Sequence, residues 1–167
     1  MTRRNFFISY HHRSDFPYLQ QLREVLKDRA IKDYGFRDLD LGENSKQSIA
    51  KEIQNRIWAS SITVVLVGEM TGKSDWVDWE IWYSLRNLKG IGPSLRIFKP
   101  KGLIALFLPE TQHLVPQRLQ DNLDSGYALK LDWKDLQTNF YSSLEKAAEK
   151  RNSLELIRNH RKPSIQP

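Results

Sequence analysis

Apolar residues in this chain come as short continuous runs, separated by stretches where they recur every three or four positions. The run "NFFISY" at 5–10 ends in polar "HHRSD", which predicts a strand and then a loop. Beyond it Phe16, Leu19, Leu22, Val25 and Leu26 fall on one helical face. Ser14 or Asp15 can cap that helix, with Pro17 in its first turn. "YGFRDLDL", 34–41, alternates as a second strand would. Ile49, Ile53 and Ile57 then mark a helix capped by Asn44 or Ser45. "SITVVLVG", 61–68, is β-branched with no polar face, the pattern of a strand covered on both sides.

The stretch "KSDWVDWEIWYSL", 73–85, opens the next helix, capped by Ser74 or Asp75 and apolar along Ile81, Trp82, Leu85 and Leu88. Gly90, Gly92, Pro93 and Pro100 mark an irregular connection to a fourth strand, "GLIALFLP", 102–109. "YALKL", 127–131, reads as a fifth strand at an edge. Leu136, Phe140 and Leu144 open a last helix that runs on, or restarts at Ser153, before "RKPSIQP" frays. This alternation predicts an α/β, flavodoxin-like three-layer sandwich. Its five-stranded parallel sheet has the order 2-1-3-4-5, with helices on both faces. Ligands of such sheets sit beyond the strand carboxyl ends, at the switch point beside strand one. The loops after Tyr10, Leu41 and Gly68 lie there. No repeat or linker divides the chain, so 1–167 reads as one domain with a core over about 5–150 and a basic helical tail over about 151–167.

Composition narrows the chemistry. At 167 residues the chain can bury roughly 68–70% of its unfolded surface. It has no cysteine, which removes disulfide scaffolds, thiolate nucleophiles and cysteine-ligated zinc. "MTRRNFFISYHH" is too short in apolar residues for a signal segment, and no run approaches the roughly 18 residues of a membrane span. The expectation is a cytoplasmic protein without a membrane partner. Part of the +6 net charge lies in the tail, where Arg151, Arg158, Arg161 and Lys162 face only Glu155. No aromatic residue interleaves them, so a solvated helix end is expected and no nucleic-acid partner.

Several motifs compete. "GEMTGKS", 68–74, sits between strand and helix like a phosphate loop, but three residues separate its glycines where four are needed. His11 and His12 are adjacent and point apart, and no third ligand has metal-like spacing, so no metal is expected. A phosphoacceptor site fails too: strand one ends in "SYHH" and strand three in "LVGE". Asp38 and Asp40 end the second strand, either as turn residues or as part of the mouth. Glu80 follows Trp76 at i+4, near the same mouth. On spacing alone it is either a surface acid complementing the helix dipole or a working carboxylate beside an aromatic wall.

"FISYHH" at 7–12 resembles the first-strand signature of TIR domains. "SSITVVLVGEMTGKSDWVDWEI" resembles their third strand and the helix after it, where a tryptophan precedes the catalytic glutamate by four residues. The resemblance covers about 5–150 and is closest to TIR-like proteins of Thoeris-type anti-phage systems. The chain departs at His11 and His12, where animal and plant members often carry arginine. It departs again at "LGENSKQ", which is not their long proline-bearing loop.

The resemblance implies cleavage of the nicotinamide–ribose bond of NAD, which is a substrate, with no separate cofactor. The product is ADP-ribose or a cyclic isomer that signals to a downstream effector. Glu80 takes the catalytic role. Ser9, Tyr10, His11, Asp40 and Trp76 take substrate-binding roles. The family also implies homo-oligomers. Two rivals remain: a non-enzymatic adaptor acting by homotypic association, and an N-deoxyribosyltransferase-like nucleoside enzyme.

Overall fold

A computed structural model describes residues 4–26, 32–33, 45–88, 97–109 and 112–167. Its strands are β1 (Asn5–Ser9), β2 (Lys32–Asp33), β3 (Ile62–Val67), β4 (Gly102–Phe107) and β5 (Leu129–Asp132). They pair in parallel in the order β2-β1-β3-β4-β5. Ile8 lies beside Val64, Val64 beside Ile104 and Ile104 beside Leu129. Four strands of four to six residues carry the sheet. With β2, described over two residues that pair with Asn5 and Phe6 at the edge, the sheet has the five strands and the order expected. The stretch 34–41, expected to supply that strand, lies outside the described residues.

The helices are α1 (His12–Leu26), α2 (Lys46–Ala59), α3 (Asp75–Ser84), α4 (Gln117–Asp124) and α5 (Leu136–Lys150). Alternation along the strands sends Phe6, Ile8, Val64, Leu66, Ile104 and Leu106 under α1 and α5. Val65, Val67, Leu103 and Ala105 face α3 and α4, and Phe7 faces α2 and α3. All six β3 residues are buried, which is why that segment shows no polar face in the sequence. Each large apolar side chain removed from water here contributes about 1.5–3 kcal/mol.

Caps set the helix starts. Ser45 accepts the Ser48 N–H at 3.2 Å and begins α2. α1 starts at His12, four residues before the expected Phe16, and Pro17 falls inside it. The His11 ring accepts the Ser14 N–H at 3.4 Å, so it takes the capping role expected of Ser14 or Asp15. At Gly102, a side chain would strike the backbone of Ala147, so α5 approaches β4 more closely than any other residue would allow.

The tail does not fray. After α5 the chain makes a 3₁₀ turn at Leu154–Leu156 and then runs back across α3 and α4. The Arg158 N–H donates to Asn122 Oδ1 at 3.0 Å, and Asn122 Nδ2 donates to the Arg158 carbonyl at 2.7 Å. Asn159 Nδ2 donates to the Trp82 carbonyl at 3.0 Å. Pro163 is buried and Ile165 packs on the cluster under α2 and α3. Among the described residues no helix is long and apolar enough to cross a membrane.

Candidate active site

α3 begins directly beyond the loop that follows β3. The Ser74 side chain accepts the Val77 N–H at 3.2 Å, and Asp75 and Asp78 in the first turn suit the positive end of the helix dipole. One turn on from Trp76, Glu80 lands on the inward side. Only 2% of it is exposed, and its carboxyl accepts the hydroxyl of Ser9, the last residue of β1. Ser84 donates to the Glu80 carbonyl at 2.7 Å, and its hydroxyl lies 2.8 Å from that of Thr63 on β3. Ser9, Glu80, Ser84 and Thr63 thus form a buried polar seam between α3 and two central strands. Phe7, Val65, Trp79 and Ile81 enclose that layer with apolar surface.

Burial pushes the Glu80 carboxyl up to about 8, and the Ser9 hydrogen bond opposes this without overcoming it. At neutral pH Glu80 therefore holds a proton. A carboxyl taken out of water in this way costs stability, and such groups concentrate at functional sites.

Trp76 is half-buried and meets Trp79 edge-to-face with ring centroids 5.7 Å apart. Trp79, 2% exposed, stacks in turn on Tyr83. The core tryptophan of α3 is therefore Trp79. Trp82, expected inside, is only partly covered and carries the Arg86 guanidinium 4.7 Å above its ring. Asp78 forms a two-pronged ion pair with Arg118 at 2.9 and 3.2 Å. Arg118 is itself 1% exposed and also donates to Asn159 Oδ1 at 2.9 Å.

The other expected residues divide. Ser9 meets Glu80. Tyr10 instead joins the cluster under α1 and α5, with its ring stacked on His12 at 4.4 Å. His11 Nδ1 lies 2.8 Å from the Ser14 hydroxyl and stays engaged with the first turn of α1. Asp40 lies outside the described residues.

Two residues at this end of the sheet escaped the sequence reading. Asp15 is fully buried in α1, and burial raises its pKa. Its Oδ2 lies 3.5 Å from the Thr71 hydroxyl, and its Oδ1 has no hydrogen-bond partner among the described residues. Thr71 accepts the Gly68 N–H at 2.7 Å, and Gly72 donates to the Leu114 carbonyl at 2.7 Å. The amides of the near-miss phosphate loop are therefore already engaged within the protein.

A parallel sheet wrapped by helices on both faces, with a buried acid where β1 meets α3, defines an α/β domain of the switch-point type. The family model described as "Thoeris protein ThsB, TIR-like domain" matches residues 7–111, more than half of the chain. The chain belongs to that family. Among solved structures it is similar to a chain of "Structure of the activated Roq1 resistosome directly recognizing the pathogen effector XopQ (TIR domains)". That likeness has 15% identity and a TM-score of 0.46, and covers 94% of this chain and 86% of that one.

Proposed function

We propose that this TIR-like domain cleaves the nicotinamide–ribose bond of NAD with Glu80 as its catalytic carboxyl. The observation that carries this reading is the burial of Glu80 against Ser9 at the carboxyl end of β1. A domain acting only as a scaffold gains nothing from a carboxyl in that interface, where an apolar residue would be more stable.

Nicotinamide in NAD already bears positive charge, so it needs no general acid to leave. The C1′–N bond breaks, its electron pair goes to the departing nitrogen, and the ribose carbon is left as an oxocarbenium-like cation. Water adds there and loses a proton to give ADP-ribose. Attack by a nucleophilic atom of the same ADP-ribosyl group, again with proton loss, gives a cyclic isomer. Ionised Glu80 stabilises the cation and can hydrogen-bond the ribose hydroxyls. In so dry a place a fixed charge contributes on the order of 10²–10³ in rate. The approaching pyridinium favours the ionised form of an acid that otherwise holds its proton. Trp76 offers a partly exposed ring for substrate packing, and His11 lies on the neighbouring loop. The product would act as a signal to a downstream effector in anti-phage defence, with self-association of the domain as a further element.

Purified protein incubated with NAD should release nicotinamide, identified by chromatography and mass, and Glu80→Gln should lose that activity while keeping its fold. Equal nicotinamide release from the Gln variant would falsify the assignment. Turnover of deoxynucleosides in place of NAD would support the transferase reading instead.

A further inference from the structure

At the opposite edge of the sheet, where β3 and β4 begin, a cleft of about 300 Å³ opens between the end of α2 and the end of α5. Trp58, Ile97, Phe98, Lys99, Lys101 and Arg151 line it. Ser9, the partner of Glu80, lies beside Val65, three residues beyond the start of β3, so the cleft opens roughly 10 Å along the strands from the level of Glu80.

Three cations converge here. Lys101 is 4% exposed, yet neither it nor Arg151 has a carboxylate partner among the described residues. On the side of Lys101 the sequence offers none, since residues 86–101 contain five basic residues and no acidic one. The simplest account is that both cations cap carbonyls. Lys101 Nζ donates to the Trp58 carbonyl at 3.3 Å, and Arg151 Nε donates to that of Pro100 at 2.8 Å. Lys101 Nζ also lies 4.5 Å from the centroid of the Phe98 ring, but each carbonyl contact uses one donor, whereas lysine has three and arginine five. Capping also leaves unexplained why a buried ammonium is held beside a second, half-buried cation. Their strain shows in the Lys101 ammonium, whose pKa falls to about 8 through burial first and the Arg151 charge second. An anion between them would relieve both effects.

The cleft has a second character. Trp58 is 38% exposed and Ile97 56% exposed, and the Trp58 ring leans on buried Phe98 with centroids 4.8 Å apart. A partly exposed indole beside three cations suits a flat aromatic group joined to an anion. The volume lies at the lower end for small-molecule sites, which run roughly 300–1,000 Å³.

We propose that this cleft binds a nucleoside monophosphate, its base on Trp58 and Ile97 and its phosphate on Lys99, Lys101 and Arg151. The site is separate from Glu80 and does not depend on the activity proposed there.

The test is calorimetric titration of the Glu80→Gln protein with AMP, adenosine and inorganic phosphate. AMP should bind with an affinity that falls as salt is raised, adenosine should give no measurable heat, and phosphate should bind at least tenfold more weakly than AMP. Lys101→Met should weaken AMP tenfold or more. Lys99→Glu, a charge reversal at an exposed position, should do the same, and it keeps the test decisive if the Lys101 variant does not fold. No binding of AMP at millimolar concentration, or unchanged AMP affinity in Lys99→Glu, overturns the site. Equal affinity for phosphate and AMP overturns its assignment to a nucleotide.

Discussion

Ser9 donates its hydroxyl to the Glu80 carboxyl across 71 positions of chain, and joins the end of β1 to the middle of α3. That bond lowers the acid's pKa, while burial raises it to about 8. If ionised Glu80 is the working form, kcat/KM for NAD should climb with pH and level off above about 8. A profile flat between pH 6 and 9 would remove the carboxylate from the mechanism.

Ser9→Ala takes away the one contact that favours the charge. The rise in kcat/KM should then move to higher pH by about one to two units, since a hydrogen bond to a charged group is worth about 1.5–3 kcal/mol. Activity at pH 7 drops accordingly and recovers in part at pH 9. A uniform loss at every pH would instead mark Ser9 as a purely structural residue.

The same buried acid makes stability depend on pH. The folded state holds the Glu80 proton up to about pH 8, whereas the unfolded chain releases it near 4.5. Between those values the native state binds the extra proton, so stability is full below 4.5 and falls as pH rises toward 8. Glu80→Gln should flatten this slope and be the more stable protein at pH 8.5, by several kcal/mol at most. Urea midpoints at pH 5 and 8.5 give the comparison.

Arg118→Ala should cost about 3–5 kcal/mol, because it leaves Asp78 unpaired and removes an anchor of the tail. Arg118→Lys should recover little of this, since an ammonium cannot grip both Asp78 oxygens and reach Asn159. Denaturant midpoints measure the cost. If Lys substitutes freely, the fork geometry is irrelevant.

Gly102→Ala sets the new methyl in hard overlap with the Ala147 carbonyl, which is backbone and cannot turn aside. A loss of about 1–3 kcal/mol in thermal or urea unfolding is expected.

How much of this could be read from sequence follows from where each element finds its partners. The central strands were plain because burial on both faces writes a continuous apolar run, as in β3. Ser45 and Ser74 were readable as caps because a cap bonds within its own turn. α4 was not seen. Its inward face is Arg118, Leu119 and Asn122, and two of those three are polar, so apolar periodicity is missing. Their partners come from Asp78 and from the tail, 36 to 41 positions away. Glu80 was picked out by its spacing from Trp76 and by family resemblance. Its burial, and Ser9 as the residue it bonds, depend on the pairing of α3 with β1, which spacing does not encode. Trp82 was expected inside because it falls in the apolar row with Ile81, Leu85 and Leu88, whereas the sequence left Trp79 open. Which one faces the core is decided by the position of α2.

The returning tail also bears on how the chain is made. Arg118 and Asn122 sit in the interior, and Arg158 and Asn159 complete polar groups that Asp78 and α4 itself leave open. A ribosome delivers those two residues 36 to 41 positions after their partners, when α3 and α4 are already synthesised. Until then the outer side of the helix bearing Glu80 lacks that brace, so this face reaches its finished form only after the segment beyond α5 has been made and has folded back.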